Sequence, residues 1–167
     1  LDPVMVAKSG DRLLSETAIS TLREKLIPLA SVLTPNRPEA ACLLDCAIAR
    51  NNNEAEEQGR ALLKLGAKAV LMKGGHAEGD ICTDLLIRAD LPTIQLEAPR
   101  IYTQNTHGTG CTLSSAIAAG LGKGLSMEQS LREAHSYLQA AIRSANTLQV
   151  GSGHGPVHHF HALWEIA

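Results

Sequence analysis

"AKAVLMKGG", Ala67 to Gly75, is the stretch on which the fold class turns. It is a short apolar run ending in a lysine and two glycines, the best strand in the chain. Just before it, Glu54 to Leu65 reads as a helix stopped by Gly66. The same alternation extends in both directions. Leu1 to Val6 reads as the end of a buried strand running into a loop, "AKSGDRLL". Ser15 can cap a helix with Ala18, Ile19, Leu22 and Leu26 along its apolar stripe, ending near Pro28. "SVLTPN", from Ser31, is a short strand and turn, and Pro38 opens the next helix with Glu39 in its first turn. Asn51 to Asn53 is a polar break and cap.

Beyond Gly75, "ICTDLLI" and "PTIQLEA" are strands joined by the turn-like "RADLP", a hairpin-type edge. "CTLSSAIAAGLGKG" is a helix of small residues suited to close packing. Ser126 caps a long last helix with Leu131, Ala134, Leu138, Ala141 and Ile142 on one face. Strands alternating with helices predict an α/β fold with a largely parallel sheet. No repeat, low-complexity segment or linker divides residues 1–167, so one domain is expected.

Composition narrows the function classes. The 167 residues are enough for one real core, and with aromatics at 2% that core must rest on Leu, Ile, Val and Ala. A net charge of -2, with basic residues scattered, makes nucleic acid an unlikely partner. No apolar run has membrane-spanning length, and no membrane partner is expected. Cys42, Cys46, Cys82 and Cys111 include no CxxC pair and form no disulfide framework, which fits a reducing cytoplasm. Cys42 and Cys46 sit in "AACLLDCAIA", where a buried structural role is expected.

Ligands of open α/β sheets bind beyond the carboxyl ends of the strands, and four polar clusters fall there. Asp2 ends the first strand, "TPNRPE" follows the second, Lys73-Gly74-Gly75-His76 ends the third, and "THGTGC" precedes the small-residue helix. An acid, an Asn with a Glu three residues on, a lysine and an anion-binding turn are the inventory of a phosphoryl-transfer site. Each piece has a plainer reading. Asp2 could simply end a strand, Glu39 suits a helix's first turn without any metal, and a lone Lys73 is more often a solvated strand end. The stretch around Lys123 lacks the Ser or Thr of a P-loop, and "GTGCTL" and "GSGHGP" lack the third glycine of a dinucleotide fingerprint.

Cys111 has two readings. A helix start favours thiolate, which would make it a base toward an alcohol. Equally, a small residue is needed where a helix begins close to a sheet, and the glycines that suit anions also suit tight packing. His154, His158, His159 and His161 suggest zinc, but they have no Cys partner and no helix-face spacing. A solvated or nucleotide-flanking segment is the expectation there.

Taken together, "LDPVMVAKSGDRLL", "LTPNRPEAA", "VLMKGGH", "NTHGTGCTLSSAIAAGL" and "GPVHHFHALW" resemble the hydroxymethylpyrimidine/phosphomethylpyrimidine kinases of thiamine biosynthesis, in the ribokinase-like superfamily. The resemblance implies a three-layer α/β/α fold with a mostly parallel central sheet, of which this chain would be the C-terminal portion. It implies a cytoplasmic enzyme, a homodimer, that uses ATP and Mg²⁺ to phosphorylate a pyrimidine alcohol and then its monophosphate. By the same resemblance, Gly108, Thr109, Gly110 and Cys111 form the anion hole, and Cys111 takes the base's place. Asp2 and Glu39 serve the magnesium, Asn36 and Lys73 the nucleotide phosphates, and Val4 the substrate. Pyridoxal kinase, sharing the superfamily and an aromatic hydroxymethyl substrate, is the alternative enzyme, and a non-catalytic nucleotide-binding fragment is the alternative from another class.

Overall fold

A computed structural model describes residues 1–5, 13–75 and 79–164. The chain forms two compact units, Leu1–Arg100 and Ile101–Ala167.

In the first unit the longest regular feature is a three-stranded sheet of β1 (Val70–Met72), β2 (Ile81–Arg88) and β3 (Leu91–Pro99), in that order. Both pairings are antiparallel, with Val70 opposite Ile87 and Leu85 opposite Gln95. The β2–β3 hairpin follows the sequence reading. The largely parallel sheet does not. Strands joined by a short turn must pair antiparallel. Among the described residues of this unit, parallel pairing is limited to bridges between Leu33 and Val70 and between Asn36 and Lys73. Pro35, which has no N–H, interrupts any longer ladder from Val32 to Asn36. Leu1 and Asp2 are tied in beside it without forming a regular strand, through Leu1 N to Val32 O at 2.8 Å and Thr34 N to Leu1 O at 2.9 Å. Most of the "AKSGDRLL" loop and His76 lie outside the described residues.

Three helices precede these strands in sequence. Helix α1 (Glu16–Thr21) is capped by Ser15, whose Oγ accepts from Ala18 N at 3.2 Å. It continues as a π turn, Leu22–Leu26, and a 3₁₀ turn, Ile27–Leu29. The wider turn alters the periodicity assumed for the apolar stripe. Leu26 faces out, and Ile27 takes the core position at 0% exposure. Helix α2 (Arg37–Leu44) ends on Asp45 in the left-handed region, and α3 (Asn52–Leu63) is capped by Asn51. The core joins Ile27, Leu33, Leu43, Leu62, Met72 and Ile87, without an aromatic residue.

Gly74 marks where backbone must pass close to backbone. A β-carbon there would overlap the carbonyl of Thr83, and the Gly74 N–H donates to Asp84 Oδ1 at 2.7 Å. Gly74→Ala is expected to cost about 1–3 kcal/mol in urea denaturation, the usual range for overpacking. An unchanged midpoint would disprove the close approach.

The second unit holds α4 (Thr109–Gly122), α5 (Met127–Arg143) and a 3₁₀ turn, Ala145–Thr147. A capping box between Ser126 and Gln129 starts α5, which buries Leu131, Ala134, Leu138 and Ala141 as its periodicity predicts, while Ile142 is only half-buried. The two helices meet closely at Gly120, where a β-carbon would stand 2.8 Å from Ser130 Oγ. Among the described residues no helix is long and apolar enough to cross a membrane.

Candidate active site

The polar centre of the first unit gathers residues from across 71 positions of sequence. Lys73, just past β1, places Nζ 2.7 Å from Asp2 Oδ1 and 3.7 Å from Glu39 Oε2. Thr34, buried at 1% exposure, donates its hydroxyl to the same Asp2 oxygen at 3.1 Å. Asn36 and Glu39 form a capping box on α2: Glu39 N donates to Asn36 Oδ1 at 2.8 Å, and Asn36 N to Glu39 Oε2 at 2.7 Å. The plainer reading of Glu39 as a first-turn acid therefore holds, and the same carboxylate also faces Lys73. Burial pushes the Glu39 carboxyl above its ordinary value, while the Lys73 charge and the Asn36 N–H pull it back. Val4 is exposed, two residues along from Asp2.

Asp2 Oδ2 is buried and has no hydrogen-bond partner. An orphaned carboxylate oxygen beside a second carboxylate fits a hard divalent cation, since Mg²⁺ takes oxygen ligands and commonly only one or two carboxylates from the protein. Asp2 and Glu39 are the residues that would hold it.

In the second unit the chain enters α4 through Gly108, at φ +83°, a conformation that favours glycine. Gly108 offers no side-chain cap, and the first full helical bond runs from Thr112 N to Gly108 O at 2.8 Å. The amides of Gly110 and Cys111 are thus donors of a bare helix start, where the dipole favours an anion. Cys111 is exposed at that start and is a free thiol. The turn is therefore open, and the thiol is not packed away behind the helix.

Each of the four C-terminal histidines is placed differently. His154 Nδ1 meets Gln104 O at 3.2 Å, His159 Nε2 meets Thr112 Oγ1 at 2.9 Å, and His161 Nδ1 meets His158 O at 3.0 Å. His158 is buried, with Nδ1 unpartnered. Among the described residues no three His, Cys, Asp or Glu side chains come together as metal ligands. Cys42 and Cys46 are exposed, contrary to their reading as buried residues. Cys46 lies past Asp45, where the chain turns left-handed and leaves the helix, and Cys42 lies in the last turn of α2, exposed between the buried Ala41 and Leu43.

A family model described as phosphomethylpyrimidine kinase matches residues 1–158. The chain belongs to this family. A hydroxymethylpyrimidine/phosphomethylpyrimidine kinase of Escherichia coli K12 is 53% identical over 164 residues, covering 98% of this chain and 61% of that protein. The chain thus spans about three-fifths of that relative's length. Among solved structures, phosphomethylpyrimidine kinase from Clostridium difficile 630 shares 37% identity at a TM-score of 0.69, over 84% of this chain and 55% of that one. The ADP complex of Bacillus subtilis pyridoxal kinase shares 30% at 0.84, over 96% and 58%.

Thr34 and Asn105 carry no role in the sequence reading, and His159 enters it only as one of four histidines. Thr34 reaches Asp2, 32 residues away, Asn105 Oδ1 accepts from Gly155 N, 50 away, and His159 meets Thr112, 47 away. The polarity of Thr34 inside an apolar run and the histidine cluster are the local signals.

Proposed function

We propose that this chain carries the phosphoryl-transfer machinery of a kinase acting on 4-amino-5-hydroxymethyl-2-methylpyrimidine and on its monophosphate, with ATP as donor. The observation that carries this reading is the bare, glycine-entered start of α4 with an exposed cysteine at its third position. The family match and the kinase names of the relatives support it. The ADP complex among the structural relatives supports a nucleotide donor.

In this reading the hydroxymethyl oxygen attacks the γ-phosphorus while Cys111 Sγ accepts its proton. The Gly110 and Cys111 amides hold the charge on the transferred group. Phosphoryl transfer needs positioning and charge neutralisation more than covalent help, which suits a turn of this kind. Lys73 contributes a positive charge toward nucleotide phosphates, and Asn36 sets the direction of the Glu39 carboxylate. When bound at Asp2 and Glu39, Mg²⁺ supplies further neutralisation of phosphate charge. Val4, exposed beside Asp2, contacts the pyrimidine. We further propose a ribokinase-like three-layer fold for the whole enzyme, with both units in one domain, a homodimeric assembly and a cytoplasmic location.

The test uses this chain and a chimera in which it replaces the 164 matching residues of the Escherichia coli relative. The chimera should pass the γ-phosphate of ATP to the pyrimidine alcohol and to its monophosphate, in a Mg²⁺-dependent manner. Transfer to pyridoxal in preference to both would establish the alternative enzyme, pyridoxal kinase, which stands among the structural relatives. Nucleotide binding without transfer by the chimera would make the chain a binding module only.

A further inference from the structure

The C-terminal segment, expected from the sequence to be solvated or nucleotide-flanking, lies along the glycine-rich turn before α4 and fastens it at both ends. At the near end, Asn105 Oδ1 accepts from Gly155 N at 3.0 Å. Its Nδ2 donates to Ala145 O at 3.2 Å and to Asn146 Oδ1 at 3.3 Å. In the middle, His107 N donates to Gly155 O at 3.1 Å, and Val157 N to His107 O at 3.2 Å, pairing His107 with Pro156 as in a short parallel ladder. At the far end, His159 Nε2 meets Thr112 Oγ1 at 2.9 Å, with Thr112 8% exposed. Tyr137 OH donates to His159 O at 2.7 Å and anchors this end to α5. Gly155 has no room for a side chain, because a β-carbon would overlap the Asn105 amide.

The two fastenings bracket residues 107–111, which carry the orphan amides and the thiol. The turn itself has little to hold it. Gly108 and Gly110 are permissive, and the internal bond from Thr109 N to Thr106 O is long at 3.4 Å. We propose that Asn105 and His159 are positioning residues, which act through the Gly155–His159 strap to hold the Gly110 and Cys111 amides in register for phosphoryl transfer. The proposal rests on the kinase reading for its catalytic consequence. Its structural content stands apart from that reading.

The expected result in the chimera is a drop in kcat of about a hundredfold for Asn105→Ala, the scale on which small misplacements act in catalysis, with KM for the pyrimidine little changed. Gly155→Ala should produce the same defect by displacing the same amide. The double variant should be no worse than the worse single, since both break one fastening. His159→Gln, which keeps an amide in reach of the Thr112 hydroxyl, should retain activity that His159→Leu loses. Multiplying effects in the double variant, or equal activities of His159→Gln and His159→Leu, would overturn the proposal.

A second readout needs no turnover. In the ¹⁵N–¹H spectrum of the chain, Asn105→Ala and Gly155→Ala should both move or broaden the Gly110 and Cys111 amides and leave the Ser126–Gln129 cap of α5 in place. Unmoved Gly110 and Cys111 resonances would sink the strap even if the kinase reading stands. Moved resonances in a chimera that transfers no phosphate would leave the strap intact and sink the kinase reading.

Discussion

Replacing Cys111 with alanine is expected to slow phosphorylation of the pyrimidine alcohol by about 10²–10⁴-fold, the usual contribution of a positioned general base. The second step, with the monophosphate as acceptor, should fall by less than about tenfold. The difference follows from the acceptors. A hydroxymethyl group must lose its proton as it attacks, whereas a phosphate monoester is already anionic at neutral pH. A thiol exposed at a bare helix start is placed to take a proton in the first step. In the second step it would only help to shape the turn. The measurement is kcat/KM for each acceptor in the chimera, with Cys111→Ala beside the parent. Equal losses would show that Cys111 serves both steps in the same way, as a positioning group. An unaffected first step would return it to the packing role that the glycine-rich turn equally allowed.

What could be read from the sequence was what local chemistry determines. Gly66 stopping α3, Ser126 opening α5 and the apolar face of α5 are each set by residues within a few positions of one another. The α2 cap belongs here too, since Asn36 and Glu39 are three apart. Sheet direction is a different kind of fact. "AVLM" reads as a strand whichever way its neighbour runs, and the neighbour that holds it longest is the β2 arm of a hairpin. Leu26 was misplaced for a local reason, because a single π turn defeats a 3.6-residue count without leaving a mark in residue type.

The site divides along the same line. "NTHGTGC" points to a glycine-entered helix start, since glycine spacing is local, and α4 begins in that way. The strap that fastens it is 47 to 50 residues away, and in the sequence its histidines read as a solvated or nucleotide-flanking segment. Lys73 is the sharpest case. Taken alone, a lysine at a strand end belongs in solvent. The sequence distance to Asp2 hid the pair that keeps it near the carboxylates.

That pair yields the largest stability effect expected in the first unit. Lys73→Met should cost about 3 kcal/mol at neutral pH, because removing one partner of a buried ion pair strands the other charge. The side chains are nearly enclosed, at 14% exposure for Lys73 and 10% for Asp2, so solvent screening relieves little of this. The loss should also depend on pH. The folded-state value of Glu39 already lies above 4.5, with burial as its first cause and Lys73 as the chief opposing influence. Its contribution to stability is therefore complete below the unfolded value and is lost as pH rises through the folded one. Without Lys73 that folded value rises further, so the penalty of the substitution should be greatest near pH 7 and shrink as the pH falls toward 4.5. Urea midpoints of the chain and the variant at several pH values measure this directly. Mg²⁺ adds a second arm, since a dication held by Asp2 and Glu39 should restore part of the variant's stability at pH 7. A loss below about 1 kcal/mol that ignores pH would class Lys73–Asp2 with surface pairs. It would also remove the electrostatic basis for placing a metal and a phosphate there.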